Sequence, residues 1–405
     1  MISARALAAA LGLPSPTEEQ VAVIEAPMEP VLVVAGAGAG KTETMASRVV
    51  WLVANQLAGP EEVLGLTFTR KAASELGARI RRRLSMLAGS PALRMWDPGG
   101  ELAARLRSAD PEVSTYHAYA GRLIADYGLL LPMEPSSTLL SETELWQLAF
   151  SVVSNWVGEL DTDKTPASVT EAVLSLYSEL AEHLVDVSAL ATAGDTLYGL
   201  IDTLPKAPRQ RAEPSQALRK VQAVIDERRQ LVPLVVELGA EMRRQSALDF
   251  GSQMSMAARL VRDNPEVAES ERGAVRAVLL DEYQDTGHSQ RILLSSLFGR
   301  QIGGGGSVAV TAVGDPIQSI YGWRGASAAN LPRFTRDFRW ADGSQARRLE
   351  LLTSWRNSRT ALKLANETSE ELRRRGIPVS VLRPRGGAPA GVARLALCDT
   401  VIDER

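Results

Sequence analysis

The chain has little cysteine, almost no net charge and no long apolar run. Cys398 is the one cysteine among 405 residues, so no internal disulfide framework or multi-cysteine metal site can form. The formal charge is only -3 at pH 7, so bulk charge does not indicate a nucleic-acid partner, and any such path must be a local positive stripe. We expect no membrane partner, because no stretch is long and apolar enough to span a bilayer, and a reducing, cytoplasmic location.

Short apolar runs recur along the chain, and most are followed by a polar turn and then a helical pattern. The runs are Val31–Val34, Val63–Thr67, Ala277–Leu280 and Val308–Val313, with weaker candidates at Glu112–Thr115 and Leu349–Thr353. Runs of this kind are typical of buried parallel strands. Their alternation with helices predicts an α/β fold with ligands at the carboxyl ends of the strands.

Helical periodicity dominates the middle of the chain, as in Ser141–Val157 and Leu218–Arg244. Residues 121–247 are therefore predicted to be a helical insertion into an α/β domain formed by residues 1–120 and 248–345. A new strand begins at Leu349, and a helical pattern covers Arg359–Arg375. Residues 346–405 are therefore predicted to be the incomplete start of a second α/β domain.

A small-residue loop follows the first apolar run, and residues 31–42 read VLVVAGAGAGKT. Glycine and alanine let successive backbone N–H groups wrap a phosphate, and the following helix N-terminus favours an anion. Lys41 would reach the β- and γ-phosphates, and the Thr42 hydroxyl would bind Mg²⁺. The predicted nucleotide-binding residues are Ala35, Gly36, Ala37, Gly38, Ala39, Gly40, Lys41, Thr42 and Glu43, with alanine at 35 where the strict motif has glycine. The alternative is a Gly/Ala-rich turn with an incidental lysine.

A second motif is acidic: residues 277–285 read AVLLDEYQD. Its apolar strand would deliver Asp281 to the sheet edge, where a carboxylate can hold hydrated Mg²⁺. Glu282 suits a general base that polarises the attacking water. The alternative is a solvated acidic loop, which the pairing with the glycine-rich loop disfavours.

Several motifs occur in an order that resembles superfamily 1 helicases of the UvrD, Rep, PcrA and RecB type. They are AGAGAGKT, LTFTRKAASEL, STYHAYA, LLDEYQDT and VGDPIQSIYGWRGA. The first two are most similar to motor subunits of the AddAB and AdnAB helicase–nucleases. The resemblance implies a RecA-like P-loop NTPase domain with a helical insertion, followed by the start of a second RecA-like domain. It also implies ATP and Mg²⁺ as cofactors.

The resemblance assigns further residues to the ATP site. Gln20 corresponds to the glutamine that reads adenine, although Thr17 and Gln20 also have the spacing of a helix capping box. Gln318 corresponds to the residue that senses the γ-phosphate. Trp355 would stack on adenine and Arg356 would contact the γ-phosphate, and the alternative for this pair is core packing beside a surface charge.

The resemblance also implies a path for single-stranded DNA along loops that combine aromatic and positive residues. The residues assigned to this path are Phe68, Tyr116, His117, Tyr321, Trp323 and Arg324. Taken singly, aromatic residues such as Phe68 and Tyr321 more often pack in a core. Arg79 and Arg81–Arg83 are predicted to form a solvated helix face.

The resemblance implies ATP hydrolysis coupled to 3′-to-5′ movement on single-stranded DNA. The DNA partners would be single strands and junctions of single-stranded with double-stranded DNA, and the process would be repair or recombination. A helicase–nuclease partner subunit is one option. The sequence stops near residues 400–405, without the later second-domain motifs of the family. An alternative is therefore a truncated fragment that binds ATP and DNA without unwinding. A P-loop kinase is disfavoured by GDPIQSIYGWRGA, and an inactive structural motor by Lys41, Asp281, Glu282 and Gln318.

Overall fold

The computed structural model of the chain describes residues 1–131, 137–205, 213–299, 308–322, 325–327, 329–377 and 379–394. The chain divides into two compact units. The first, here called the α/β unit, comprises Met1–Thr115, Ser270–Thr286 and Phe298–Arg405. The second, here called the helical unit, comprises Tyr116–Glu269 and Gly287–Leu297.

The strands of the described residues include the six predicted runs, some with shifted ends, and four further strands of two residues that were not predicted. They are β1 (Val31–Ala35), β2 (Val63–Thr67), β3 (Glu112–Thr115), β4 (Thr138–Leu139), β5 (Ala247–Leu248), β6 (Ala277–Leu280), β7 (Ala309–Gly314), β8 (Arg347–Leu351), β9 (Thr353–Ser354) and β10 (Arg383–Pro384). The apolar runs locate the sheet strands well because strands buried on both faces carry few polar residues.

The helices of the described residues lie between these strands. They are α1 (Ala4–Ala10), α2 (Glu18–Ile24), α3 (Lys41–Ala54), α4 (Arg70–Gly89), α5 (Pro91–Trp96), α6 (Glu101–Ser108), α7 (Tyr116–Tyr127), α8 (Glu142–Ser154), α9 (Pro166–His183), α10 (Val187–Thr203), α11 (Gln216–Arg244), α12 (Phe250–Asp263), α13 (Pro265–Ala274), α14 (His288–Phe298), α15 (Asn330–Asp337), α16 (Arg359–Thr368) and α17 (Glu370–Arg374). Within the described ranges, no single helix is long and apolar enough to cross a bilayer. The bent pair α9 and α10 together has the required length and composition.

A parallel sheet forms the centre of the α/β unit, and its strand order among the described residues is β3-β2-β6-β7-β1-β8. Strands β1, β2, β6 and β7 are buried along their whole length. Because all neighbours are parallel, the loops that follow β1, β6 and β7 leave the sheet at the same edge. The predicted α/β fold is confirmed, and this edge carries the glycine-rich loop and the acidic motif.

Strand β8 corrects the predicted boundary of the second domain. We predicted that a strand at Leu349–Thr353 opens a separate domain spanning 346–405, but β8 covers Arg347–Leu351 and pairs in parallel with β1. The prediction was wrong because Arg347 and Arg348 give the strand an exposed, polar start. Its far end carries Leu351, which is buried in the same core as the first domain.

The helical unit is also larger than the predicted insertion of 121–247. It begins at Tyr116, extends to Glu269 and includes Gly287–Leu297. Helix α12 belongs to it because this helix packs on α7 and α9, where the Tyr177 hydroxyl lies 2.6 Å from Ser252 Oγ. The capping box predicted at the start of α8 is confirmed, since the Glu144 backbone N–H donates to Ser141 Oγ and the Ser141 N–H donates to the Glu144 carboxylate.

Candidate active site

The glycine-rich loop joins β1 to α3 at the carboxyl edge of the sheet. Gly38 and Gly40 have φ values of +74° and +84°, in the left-handed region that favours glycine. A Cβ atom added at Gly38 would also lie 2.8 Å from Arg356 Cβ. Helix α3 begins at Lys41 and Thr42 is partly buried beside it, so backbone N–H groups at the helix start are arranged as in an anion site.

Two carboxylates at the end of β6 stand beside the lysine of this loop. Lys41 Nζ lies 2.8 Å from Glu282 Oε2 and 3.1 Å from Glu282 Oε1. Asp281 is almost fully buried and accepts a hydrogen bond from the Glu282 backbone N–H. Burial, and then the negative charge of Glu282, raise the pKa of Asp281 to about 6, although the charge of Lys41 opposes this shift. Glu282 adopts a left-handed backbone with φ +49°, a strained conformation of the kind found at functional sites.

The segment that follows β8 rests directly on the glycine-rich loop. The Trp355 backbone N–H donates to the Gly38 carbonyl at 2.8 Å. Ser354 Oγ and Asn357 Nδ2 both donate to the Ala37 carbonyl, at 3.1 and 3.3 Å. These bonds bring the predicted residues Trp355 and Arg356 to the loop. Ser354 and Asn357 were not predicted, because nothing in the local pattern shows which backbone a hydroxyl or amide will reach.

A cavity of about 320 Å³ lies next to the loop and is lined by Gln20, Gly40, Glu43, Trp355 and apolar residues that include several from α1. Gln20 forms the capping box of α2, since its Oε1 accepts from the Thr17 backbone N–H at 3.0 Å. Gln20 Nε2 lies 3.3 Å from the position that a Cβ on Gly40 would occupy. The capping interpretation is confirmed, and contact between the remaining amide group and a base stays a prediction.

Glu43 is held by arginines of helix α4. Its carboxylate forms ion pairs with Arg83 and with Arg79, the latter at 3.2 Å. Arg83 is 5% exposed and also donates to Ser47 Oγ at 2.7 Å. The prediction of a solvated face was therefore wrong for Arg83, because the carboxylate of Glu43 offsets the cost of burying the guanidinium. These ion pairs engage the Glu43 carboxylate, and contact between Glu43 and a nucleotide stays a prediction.

The loop after β7 is tied to the acidic motif by a buried amide. Gln318 Nε2 donates to Asp315 Oδ2 at 2.7 Å, and Asp315 Oδ1 accepts from the Ile317 backbone N–H at 3.0 Å. The Asp315 backbone N–H donates to Gln284 Oε1 at 3.0 Å, while Gln284 Nε2 donates to Glu282 Oε2 at 2.9 Å. The sequence analysis did not select Gln284, although it lies within the DEYQD motif.

Phe68, which follows β2, and Tyr321, which follows β7, come together as an aromatic pair. Their ring centroids are 4.8 Å apart and the rings are inclined by 21°, which is a stacked arrangement. Both side chains are partly buried. Trp323 and Arg324, predicted for the same surface, lie outside the described residues.

The other two residues assigned to DNA lie at the start of α7. Tyr116 is 3% exposed, so its ring is enclosed by protein in this structure, and its contact with DNA stays a prediction. His117 is partly buried and packs edge-on against Phe250, with ring centroids 5.6 Å apart. Both residues belong to the helical unit.

The fold and the site together define a P-loop protein, with a phosphate-binding loop, a lysine and two carboxylates at one edge of a parallel sheet. The chain matches the UvrD/REP helicase N-terminal domain over residues 16–339 and belongs to that family. It is 29% identical to the ATP-dependent DNA helicase UvrD1 of Mycobacterium bovis, an alignment that covers 87% of this chain and 38% of the relative.

Two further relatives show the same extent of similarity. The probable DNA helicase II homolog of Rickettsia felis is 27% identical, over 76% of this chain and 38% of its own length. The ATP-dependent DNA helicase PcrA of Staphylococcus aureus is 26% identical, over 86% and 39%. The chain thus spans about two fifths of the length of these relatives. The finer likeness to helicase–nuclease subunits stays a prediction.

Proposed function

We propose that this chain carries an ATP-hydrolysing motor that moves along single-stranded DNA, 3′ to 5′, and acts at its junctions with duplex DNA in repair or recombination. The observation that carries the proposal is the group formed by Lys41, Asp281 and Glu282 beside the glycine-rich loop. The family and the names of the relatives support both the nucleotide and the nucleic acid.

The donor groups of the site fit ATP with Mg²⁺. Backbone N–H groups and Lys41 are suited to phosphate oxygens. Asp281 and the Thr42 hydroxyl are oxygen ligands of the type that Mg²⁺ prefers, and bound there the ion would neutralise phosphate charge. Trp355 and the Gln20 amide line the cavity beside the loop, where the base would lie.

The residues of the site divide the hydrolytic step between them. Lys41 exchanges its ion pair with Glu282 for a phosphate oxygen, which leaves the Glu282 carboxylate available to a water molecule. Glu282 accepts a proton from that water while the water oxygen bonds to the γ-phosphorus. The bond between the γ-phosphorus and the β–γ bridging oxygen breaks in the same step. Arg356, carried by the segment that rests on the loop, would add positive charge at the γ-phosphate.

The Phe68–Tyr321 pair is proposed to contact bases of the single strand. Stacking on aromatic rings is largely independent of sequence, as a translocating motor requires. Because Tyr321 follows the same strand as Asp315 and Gln318, events at the phosphates can reach this pair through a short stretch of chain.

The proposal is tested by measuring ATP hydrolysis of the purified 405-residue chain with and without oligo-dT, beside Glu282→Gln. We expect stimulation by DNA, and a kcat lowered by about 10² or more in the variant with nucleotide binding retained, since a general base contributes that much. Glu61→Gln, a surface glutamate paired with Arg105, is the control and should behave as wild type.

Direction is tested by displacement of streptavidin from biotinylated oligonucleotides. A motor moving 3′ to 5′ removes streptavidin from the 5′ end and leaves the 3′ end occupied. Displacement from the 3′ end would overturn the proposed polarity. If the chain binds nucleotide and DNA without turnover, it acts as a binding module, which is the alternative function given above.

A further inference from the structure

Gln284 is almost fully buried and every polar group of its side-chain amide has a partner. Its Nε2 donates to Glu282 Oε2 at 2.9 Å and to Asp285 Oδ2 at 3.1 Å. Its Oε1 accepts the Asp315 backbone N–H at 3.0 Å. One amide therefore joins the proposed general base, the next acidic residue of the motif and the loop after β7.

The connection continues towards the aromatic pair. The Gln284 backbone carbonyl accepts from Ser319 Oγ at 3.3 Å. Burial, and then the negative charge of Glu282, raise the pKa of Asp285, whose Oδ2 accepts from Gln284 Nε2. Ser319 and Ile320 directly precede Tyr321, which stacks on Phe68. The turn that carries Tyr321 is thus bonded to the Gln284 backbone.

The end of β7 is shaped to admit this amide. A Cβ added at Gly314 would lie 2.5 Å from Gln284 Oε1 and 2.9 Å from Leu331 Cδ1. Real side chains do not approach so closely, so a substitution there must displace Gln284. Gly314 does not have a positive φ, so its backbone conformation does not require glycine. Glycine is needed there because a side chain would have no space.

We propose that Gln284 is a positioning residue that couples the Glu282 carboxylate to the Phe68–Tyr321 pair, so that nucleotide state changes the affinity for single-stranded DNA. This inference rests on the function proposed above. Its physical basis is that a rigid, fully bonded amide transmits a movement of Glu282 to the Asp315 and Ser319 loop. Coupling of this kind is reciprocal, so DNA must in turn alter nucleotide affinity.

The test compares wild type with Gln284→Met, which keeps the side-chain length and removes both hydrogen-bonding groups. Nucleotide affinity is measured with a fluorescent ADP analogue, and DNA affinity with labelled oligo-dT in the presence and absence of a non-hydrolysable ATP analogue. We expect the variant to bind both ligands, to lose the effect of nucleotide on DNA affinity, and to lose about tenfold in DNA-stimulated kcat, the size expected for a hydrogen bond to a charged group. The KM for ATP should change by less than about threefold.

Asn330→Leu is the matched control, because it removes a buried amide bond to the Thr286 carbonyl in the same unit and leaves the Gln284 amide in place. It should retain the coupling. If Gln284→Met does not fold, Gly314→Ala displaces the same amide from the other side and should show the same loss.

Two negative results are distinguishable. A wild-type chain that binds neither the ADP analogue nor oligo-dT would overturn the proposed function and this inference with it. The role of Gln284 would be overturned, with the proposed function left standing, by either of two results. In the first, Gln284→Met binds both ligands and keeps the coupling. In the second, the wild-type chain binds both ligands but shows no coupling.

Discussion

The two units of the protein treat polar side chains differently. Among the described residues, the buried polar side chains of the helical unit carry hydroxyl or amide groups: Thr170, Ser252, Ser255, Ser289 and Gln290. The α/β unit instead buries ionisable groups, among them Arg48, Arg83, Asp281, Asp285 and Asp315. Buried charge is costly unless it is bonded on all sides. The α/β unit thus holds buried charges through hydrogen bonds and ion pairs beside its apolar core, whereas the helical unit buries only hydroxyl and amide groups beside its own among the described residues.

Arg48 shows how such a charge is held. Its guanidinium is fully buried and donates to the carbonyls of Val23, Ile24 and Ala26 at 2.7–3.1 Å, and to Thr311 Oγ1 at 2.9 Å. Burial lowers the pKa of Arg48 to about 10, so the group is still charged at neutral pH. It joins the end of α2, which carries Gln20, to α3 and β7.

The largest effect is expected from removing this charge. Arg48→Met should lower the free energy of unfolding of the α/β unit by about 3–5 kcal/mol, because several buried carbonyls lose their donors. Hydrogen–deuterium exchange of α2 and α3, with urea unfolding, measures the loss.

The matched change in the helical unit is Arg229→Met. Arg229 forms exposed ion pairs with Asp195 and Asp226, so unfolding should be unchanged within error. Equal losses in the two variants would contradict the contrast between the units.

The helical unit should be most sensitive to apolar truncation. Leu238 is fully buried in the core formed by α8, α9 and α11, and Leu238→Ala should cost about 2–5 kcal/mol. Leu197→Ala on α10 is the control, because Leu197 is 43% exposed and its loss leaves no comparable cavity. Hydrogen exchange measured for each unit should show that the helical unit loses protection in Leu238→Ala and not in Leu197→Ala. Similar losses in both variants would contradict the dependence of the helical unit on apolar packing.

A smaller effect is expected in the pH dependence of stability. The pKa of Asp281 is raised from 3.8 to about 6 in the folded chain, so the unfolded state loses this proton first as pH rises. Folded wild type should therefore lose stability relative to Asp281→Asn between about pH 4 and 6, and the difference should stay constant above that range. Urea unfolding of both proteins at several pH values measures this. A flat difference for Asp281→Asn would contradict the burial of its charge.

Much of the α/β unit could be predicted because its signals are local. The run before Gly36 reads as a buried strand, and Gly38, Gly40 and Lys41 encode a turn and a helix start within a few residues. Asp281 and Glu282 were found in the same way. The prediction failed at β8, whose partner β1 lies more than 300 residues earlier. The burial of Tyr116 was also not foreseen.

The sequence by itself determined the strand positions, the phosphate loop, the acidic motif and the family, since each rests on residue types at short fixed spacing. Only the tertiary structure decided that β8 completes the first sheet, that Arg83 is buried against Glu43, and that Gln284 joins Glu282 to the loop after β7. These features depend on which side chains meet after the chain has folded. Local periodicity does not encode those contacts, because they are set by packing between segments far apart in sequence.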